Sequence, residues 1–260
     1  MIRWCCYCQT FIGEKEPLSN YSVTHSICTS CNSNLLNTDH KNINTTKLIK
    51  PIKDFFASVF HMAETLEYSD PQELIKQGLK LGIKKSDLLL GIIKPALWKV
   101  GQQYGKGKLT VYQEHDFTRY CNAIIHEIGR EYQFKPLDLN KGTLFVCIDS
   151  NFHTLGVQIL EIIARENGIA AKAVYPSIPN NEIIDLVKLT GVSLLCVSIS
   201  SSQQIPTLLS LQKELYKLDK PPVLAAGGLS TDQLKKLDGI LSIDQNSFLD
   251  LLNFLKENNS

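Results

Sequence analysis

The spacing of apolar positions divides the chain into two periodicities. Between residues 51 and 133, apolar side chains recur at helical intervals. Phe55, Phe56, Val59, Phe60, Ala63 and Leu66 fall on one helical face. Ser69-Asp70-Pro71 opens a second helix, with proline at an early helical position. Ser86-Asp87 opens a third, over 88–100, and Gly105 and Gly107 break it. Thr110 to Glu114 opens a fourth that runs to 132. Four helices with short connectors predict an antiparallel bundle over 51–136.

From Gly142 the period changes. Short apolar runs at 144–148, 171–174, 194–198, 223–228 and 241–243 read as buried parallel strands. Helical patterns at 157–168, 180–190, 205–218 and 247–256 alternate with them. The alternation predicts a doubly wound, flavodoxin-like parallel sheet over 140–260. Ligands of such sheets bind outside the carboxyl ends of the strands. Those ends carry His153, the serine run Ser198-Ile199-Ser200-Ser201-Ser202, and Gly227-Gly228. A G-x-G-x-x-G does not follow the first strand, so a dinucleotide has no support. The small residues leave room for something bulky against the sheet.

The 260 residues have the composition of an ordinary globular protein, 43% hydrophobic and 20% charged. The 27 basic and 26 acidic side chains give a net charge of +1, which offers no electrostatic footprint for nucleic acid. The sequence lacks both an apolar run of ~18 residues for a membrane helix and an apolar segment after Met1. A cytoplasmic protein that does not contact the membrane is expected. Eight cysteines remain to be explained. Cys121, Cys147 and Cys196 lie in apolar segments and read as buried hydrophobes. Cys5-x-x-Cys8 and Cys28-x-x-Cys31 form two knuckles about twenty residues apart, a pattern suited to a closed, structural S₄ zinc site. Cys6 is the spare thiol, and His25 is a weaker alternative ligand. A module over 1–36 is expected, its folding supported by metal. It resembles the small zinc ribbons attached to bacterial sensory proteins. The polar stretch 37–50 reads as a linker.

Asn151-Phe152-His153-Thr154-Leu155-Gly156 resembles the D-x-H-x-x-G loop of cobalamin-binding proteins of the methionine-synthase and corrinoid-protein type. That resemblance implies His153 as lower axial cobalt ligand, with Asn151 and Gly156 in its loop. It also implies Ser198, Ser200 and Ser202 as the serine-rich loop, and Gly227 and Gly228 as the pair that lets the cofactor's nucleotide tail pass close to backbone. The bundle resembles the four-helix cap of the same family and of cobalamin-dependent light-responsive repressors. In the repressors a tryptophan, nine residues and Glu-His face the upper ligand. Here Tyr104, nine residues, then Glu114-His115 take those places. The likeness covers about 54–260. The chain departs from the pattern at three points. Asn151 stands for the family's acid, and can accept from the imidazole N–H without charge. Asp149 lies four residues before the histidine. Gly105 stands where the light-responsive repressors carry a cobalt-capturing histidine.

By position alone, Glu114 and His115 also fit a capping acid and a half-buried histidine at a helix start, and His153 fits an ordinary loop histidine. The resemblance implies a cobalamin-binding sensor or photoreceptor, using adenosyl- or methylcobalamin and zinc, that signals to a protein partner such as a transcription regulator. Its alternative is a corrinoid carrier that exchanges methyl groups with a methyltransferase, so whether the chain belongs to an enzyme stays open. A haem sensor on the same fold is a further alternative. Direct nucleic-acid binding is not expected, and a homo-oligomer is compatible with each role.

Overall fold

The computed structural model describes residues 1–35, 45–132, 137–228, 234 and 236–243. They belong to two compact units, Met1–Arg130 and Glu131–Ser260.

The first unit opens with three short strands, β1 (Ile2–Cys5), β2 (Phe11–Glu14) and β3 (Val23–Ser26), in the order β2-β1-β3. β1 pairs antiparallel with β2 and parallel with β3. A short helix α1 (Thr29–Leu35) follows. The helical part comprises α2 (Thr45–Thr65), α3 (Pro71–Lys80), α4 (Lys85–Leu88), a π-helical segment Leu89–Ile93, α5 (Lys94–Gly105) and α6 (Val111–Gly129). Each of the four expected helices is present. The third is longer than its sequence pattern, because α4, the π segment and α5 run on without a break.

Local chemistry sets several of these ends. The Asp70 carboxylate accepts from the main-chain N–H groups of Gln72 and Glu73, capping α3. Thr110 and Gln113 form a reciprocal capping box at the start of α6. Gly107 takes φ +68° just after α5, where a side chain would be strained. α2 begins before Pro51, so the expected linker over 37–50 is helical from Thr45 onward. Ile49 and Ile52 explain this, since both are fully buried. Residues 36–44 of that stretch lie outside the described residues. The apolar stripes meet in a core that includes Val59, Ala63, Leu74, Leu88, Ile92, Phe117 and Ile124. Burying each large side chain favours folding by ~1.5–3 kcal/mol.

The second unit alternates β4 (Thr143–Ile148), α7 (Leu155–Glu166), β5 (Ala171–Ile178), α8 (Asn180–Thr190), β6 (Leu194–Ile199), a 3₁₀ turn Ser202–Gln204, α9 (Ile205–Leu215), β7 (Val223–Gly228) and β8 (Leu241–Ile243). The sheet order is β5-β4-β6-β7-β8 and every pairing is parallel, the doubly wound arrangement expected. All six residues of β4 are buried, which accounts for its unbroken apolar run. Ile183 and Val187 of α8 and Leu208 and Leu211 of α9 pack on Leu144, Val146, Leu195 and Val197. The closing helix expected over 247–256 lies outside the described residues. Cys121, Cys147 and Cys196 are all buried. Burial raises their thiols, Cys147 to about 11.

Candidate cofactor and metal sites

The loop after β4 is held by its own side chains. Asn151 is fully buried, and its Nδ2 donates to the Ser198 carbonyl (2.8 Å) and to Ser198 Oγ (3.1 Å) at the end of β6. Its Oδ1 accepts the main-chain N–H of His153 at 3.0 Å. The sequence led us to expect a bond from Asn151 to the imidazole. The structure gives that oxygen to the backbone instead, because the tight turn brings the His153 amide onto it. Asp149 Oδ1 accepts from Ser177 Oγ (3.2 Å), and Ser177 Oγ accepts from the Ser150 amide (2.9 Å), so the loop is tied to the end of β5 as well.

Gln204 completes the lacing and escaped the sequence reading. Its Nε2 donates to the Asp149 carbonyl (3.2 Å), while its Oε1 accepts from the Ser200 amide (2.8 Å), the Ser200 hydroxyl and the Ser201 amide. The available signal was the capping box formed by Ser201 and Gln204. Ser202 is exposed in the same turn. With the main chain fixed, the His153 side chain is exposed and its ring makes no hydrogen bond among the described residues. Gly156 sits in the first turn of α7, and a Cβ added there would meet nothing within 4 Å.

Gly227 and Gly228 are required by the sheet itself. Ser198 and Ile199 of β6 register with them in β7. A Cβ on Gly227 would lie 2.7 Å from the Ile243 carbonyl oxygen, and one on Gly228 would lie 2.0 Å from that of Ile199. Gly228 also has φ +129°.

In the first unit, Tyr104 and Glu114 lie on either side of the connector between α5 and α6. Tyr104 is exposed. Glu114 is in the first turn of α6, where the helix dipole favours an acid. It accepts from Thr118 Oγ1 (3.1 Å), and His115 Nε2 lies 3.3 Å from its second oxygen. His115 is exposed rather than half-buried.

The strongest metal geometry lies at Cys5, Cys8, Cys28 and Cys31. Their four sulfurs lie within 4.8 Å of one another, with Cys8 and Cys28 at 3.7 Å. Zn–S bonds of ~2.3 Å in a tetrahedron place sulfurs about 3.8 Å apart, so the thiols are spaced for that ion. Cys5 ends β1, and Cys8 lies in the turn between β1 and β2. Cys28 and Cys31 flank the start of α1. Burial raises the Cys5 thiol, but backbone N–H groups around Cys28, Cys8 and Tyr7 outweigh it and draw Cys5 down to about 6. Burial and the neighbouring cysteines raise Cys31. Cys6 is buried outside the cluster, and His25 is exposed and takes no part in it.

The strand-end residues fit a corrinoid chemically. An exposed imidazole is a cobalt donor in its neutral form, the Cβ direction of Gly156 is open, and the loop is held by hydrogen bonds that leave the ring uncommitted.

No curated protein matches the chain. Residues 62–128 match the family model described as "B12 binding domain". Among solved structures, the chain resembles the monomethylamine corrinoid protein of Methanosarcina barkeri at 14% identity, covering 77% of this chain and 98% of that one, with a TM-score of 0.61. A cobalamin-binding protein from Desulfitobacterium hafniense DCB-2 aligns at 14% identity over 78% and 98% of the two chains, with a TM-score of 0.40. Among the described residues no helix is long and apolar enough to cross a membrane. Residues 62–128 thus match the B12 binding domain family, within a chain whose fold resembles that of a corrinoid protein.

Proposed function

We propose that this protein binds cobalamin with His153 as the lower axial ligand and uses the cofactor as a regulatory input, signalling to a protein partner. The observation that carries the reading is the wiring of the 149–154 loop. Asn151 spends both ends of its carboxamide on the main chain of His153 and on Ser198, and this holds the imidazole outward at a strand end. The B12 family match of the helical unit supports the same cofactor. Tyr104, Glu114 and His115 are proposed to contact the cofactor's upper face, and Ser198, Ser200, Ser202, Gly156, Gly227 and Gly228 to accommodate its nucleotide tail. When bound, cobalamin supplies a cobalt–carbon bond that can be cleaved by light or can pass on a methyl group. Zinc at Cys5, Cys8, Cys28 and Cys31 belongs to the same reading, and a sensory role is supported by a metal module built into the helical unit.

The fold of the monomethylamine corrinoid protein favours a second reading, a methyl carrier serving a methyltransferase. An imidazole could also ligate haem iron.

The test is a UV–visible spectrum of purified protein with adenosyl- or methylcobalamin in the dark and after green light, with haem as the competing ligand. The expected result is retained corrinoid in an imidazole-ligated form. His153→Ala should lose that spectrum and weaken binding at least about tenfold, with little change in apoprotein stability because the ring is exposed. Unchanged spectrum and affinity in that variant would remove His153 from the site. A change of oligomeric state or partner binding on illumination or ligand loss supports the sensor. Cycling through Co(I) with methyl uptake supports the carrier.

A further inference from the structure

The cysteine module is seated on the helical part through β3 on α2 and through β1 and β2 on the π-helical segment. Trp4, next to Cys5 on β1, is fully buried and meets Phe11 edge-on, with ring centroids 5.7 Å apart. Both rings lie over Gly91, at the middle of the π-helical segment. A Cβ added to Gly91 would fall 2.3 Å from Trp4 and 2.8 Å from Phe11. Glycine is a poor helix former, so its place here answers to the ring above it. One turn on, Lys94 reaches Glu14 at the end of β2 at 3.6 Å, with both side chains mostly shielded. The Trp4 indole N–H has no hydrogen-bond partner among the described residues, so shape rather than polar anchoring positions the ring.

We propose that metal at Cys5, Cys8, Cys28 and Cys31 acts through Trp4 and Phe11 as a clamp on the π segment, making the integrity of the helical B12 unit conditional on metal. The inference rests on the zinc reading above. A piece of about 35 residues buries too little surface to hold its own shape. Metal binding therefore contributes directly to its folding. Trp4 precedes one ligand by a single residue, and Phe11 follows Cys8 by three, so both rings flank the first knuckle. Without metal the knuckle loses its fixed point, and the rings are released from Gly91. The π segment then lacks its cover, and α5, which carries Tyr104, is continuous with it. π-helical turns are often found at functional positions. Here the turn lies where a metal module grips a cofactor-family domain.

The test is amide hydrogen exchange on the full-length protein with stoichiometric Zn²⁺ and after chelation under reducing conditions, with bound zinc measured in parallel. Chelation should speed exchange in peptides covering 88–105 at least about tenfold and leave β4 and β6 unchanged. Trp4→Ala keeps all four thiols. It should still bind one zinc, yet show fast exchange at 88–105 whether zinc is present or not. Gly91→Ala provides a second variant should Trp4→Ala fail to fold. Alanine favours a helix, so slower exchange in this variant would overturn the clamp, and faster exchange with zinc retained would support it. Stoichiometric zinc with no effect of chelation on 88–105 overturns the coupling alone. Failure to bind zinc, with Cys8→Ser indistinguishable from wild type, overturns the metal reading itself.

Discussion

Asn151→Asp restores the residue type of the family's loop pattern, and the structure argues that it will weaken this protein. The orientation of the carboxamide is fixed from both sides by main-chain groups. Oδ1 faces the His153 N–H at 3.0 Å, and Nδ2 faces the Ser198 carbonyl at 2.8 Å. A carboxylate has only acceptors. It can keep the first bond, but it sets an oxygen against the Ser198 carbonyl oxygen in a fully buried position. One hydrogen bond of ~1 kcal/mol is lost, and the unmatched buried acceptor adds ~1–3 kcal/mol. The sum is on the order of 2–4 kcal/mol. Since ~1.4 kcal/mol is tenfold, protection of β4 and β6 amides should fall about 30-fold or more. Protonating the new acid restores a donor toward Ser198, so its folded-state pKa rises above the unfolded value of about 3.9. An acid with a raised folded pKa destabilises increasingly as pH climbs from the unfolded value to the folded one, then levels off. The defect should therefore be larger at pH 7.5 than at pH 5. Hydrogen exchange by mass spectrometry on the cofactor-free full chain, at both pH values and corrected for intrinsic rates, measures it. Equal protection of variant and wild type at pH 7.5 would refute the role given to Asn151.

Thr110→Ala removes the capping box of α6, and should lower the stability of the helical unit by ~1 kcal/mol, read as a lower thermal midpoint by circular dichroism. Gln113→Ala should act in the same direction, because its Nε2 also donates to the Glu64 carbonyl at the end of α2 (2.9 Å). Cys147, raised to about 11 by burial, makes the α/β unit sensitive to alkali. Its contribution is intact below the unfolded thiol value of about 8.5 and is lost as pH rises from there to about 11. Urea midpoints at pH 7.5 and 10 should show a loss in wild type that is smaller in Cys147→Ala. An equal loss in both would exclude Cys147 as its source.

Much of the architecture was legible in the residues. β7 and β8 and the helix 180–190 match their sequence pattern residue for residue. Local punctuation fixed them: Gly227-Gly228 closes β7, and Gly191 ends α8 in the left-handed region at φ +64°. The cysteine spacing likewise announced the four-thiol cluster, because a C-x-x-C turn aims two thiols at one point through purely local geometry. The start of α2 at Thr45 was not legible. Its first turns are polar, and two isoleucines make it helical only by burying themselves in the folded unit.

The amino-acid sequence by itself therefore determined the order of elements, the parallel sheet and the metal-spaced thiols, since each is announced by a pattern that repeats over a few residues. Tertiary structure alone decided what Asn151, Gln204 and Gly91 do. Asn151 reaches 47 residues to Ser198, Gln204 reaches 55 to Asp149, and Gly91 is shaped by a tryptophan near the other end of its unit. No periodicity encodes such pairings, because each depends on which distant surface the folded core brings within hydrogen-bonding or van der Waals reach.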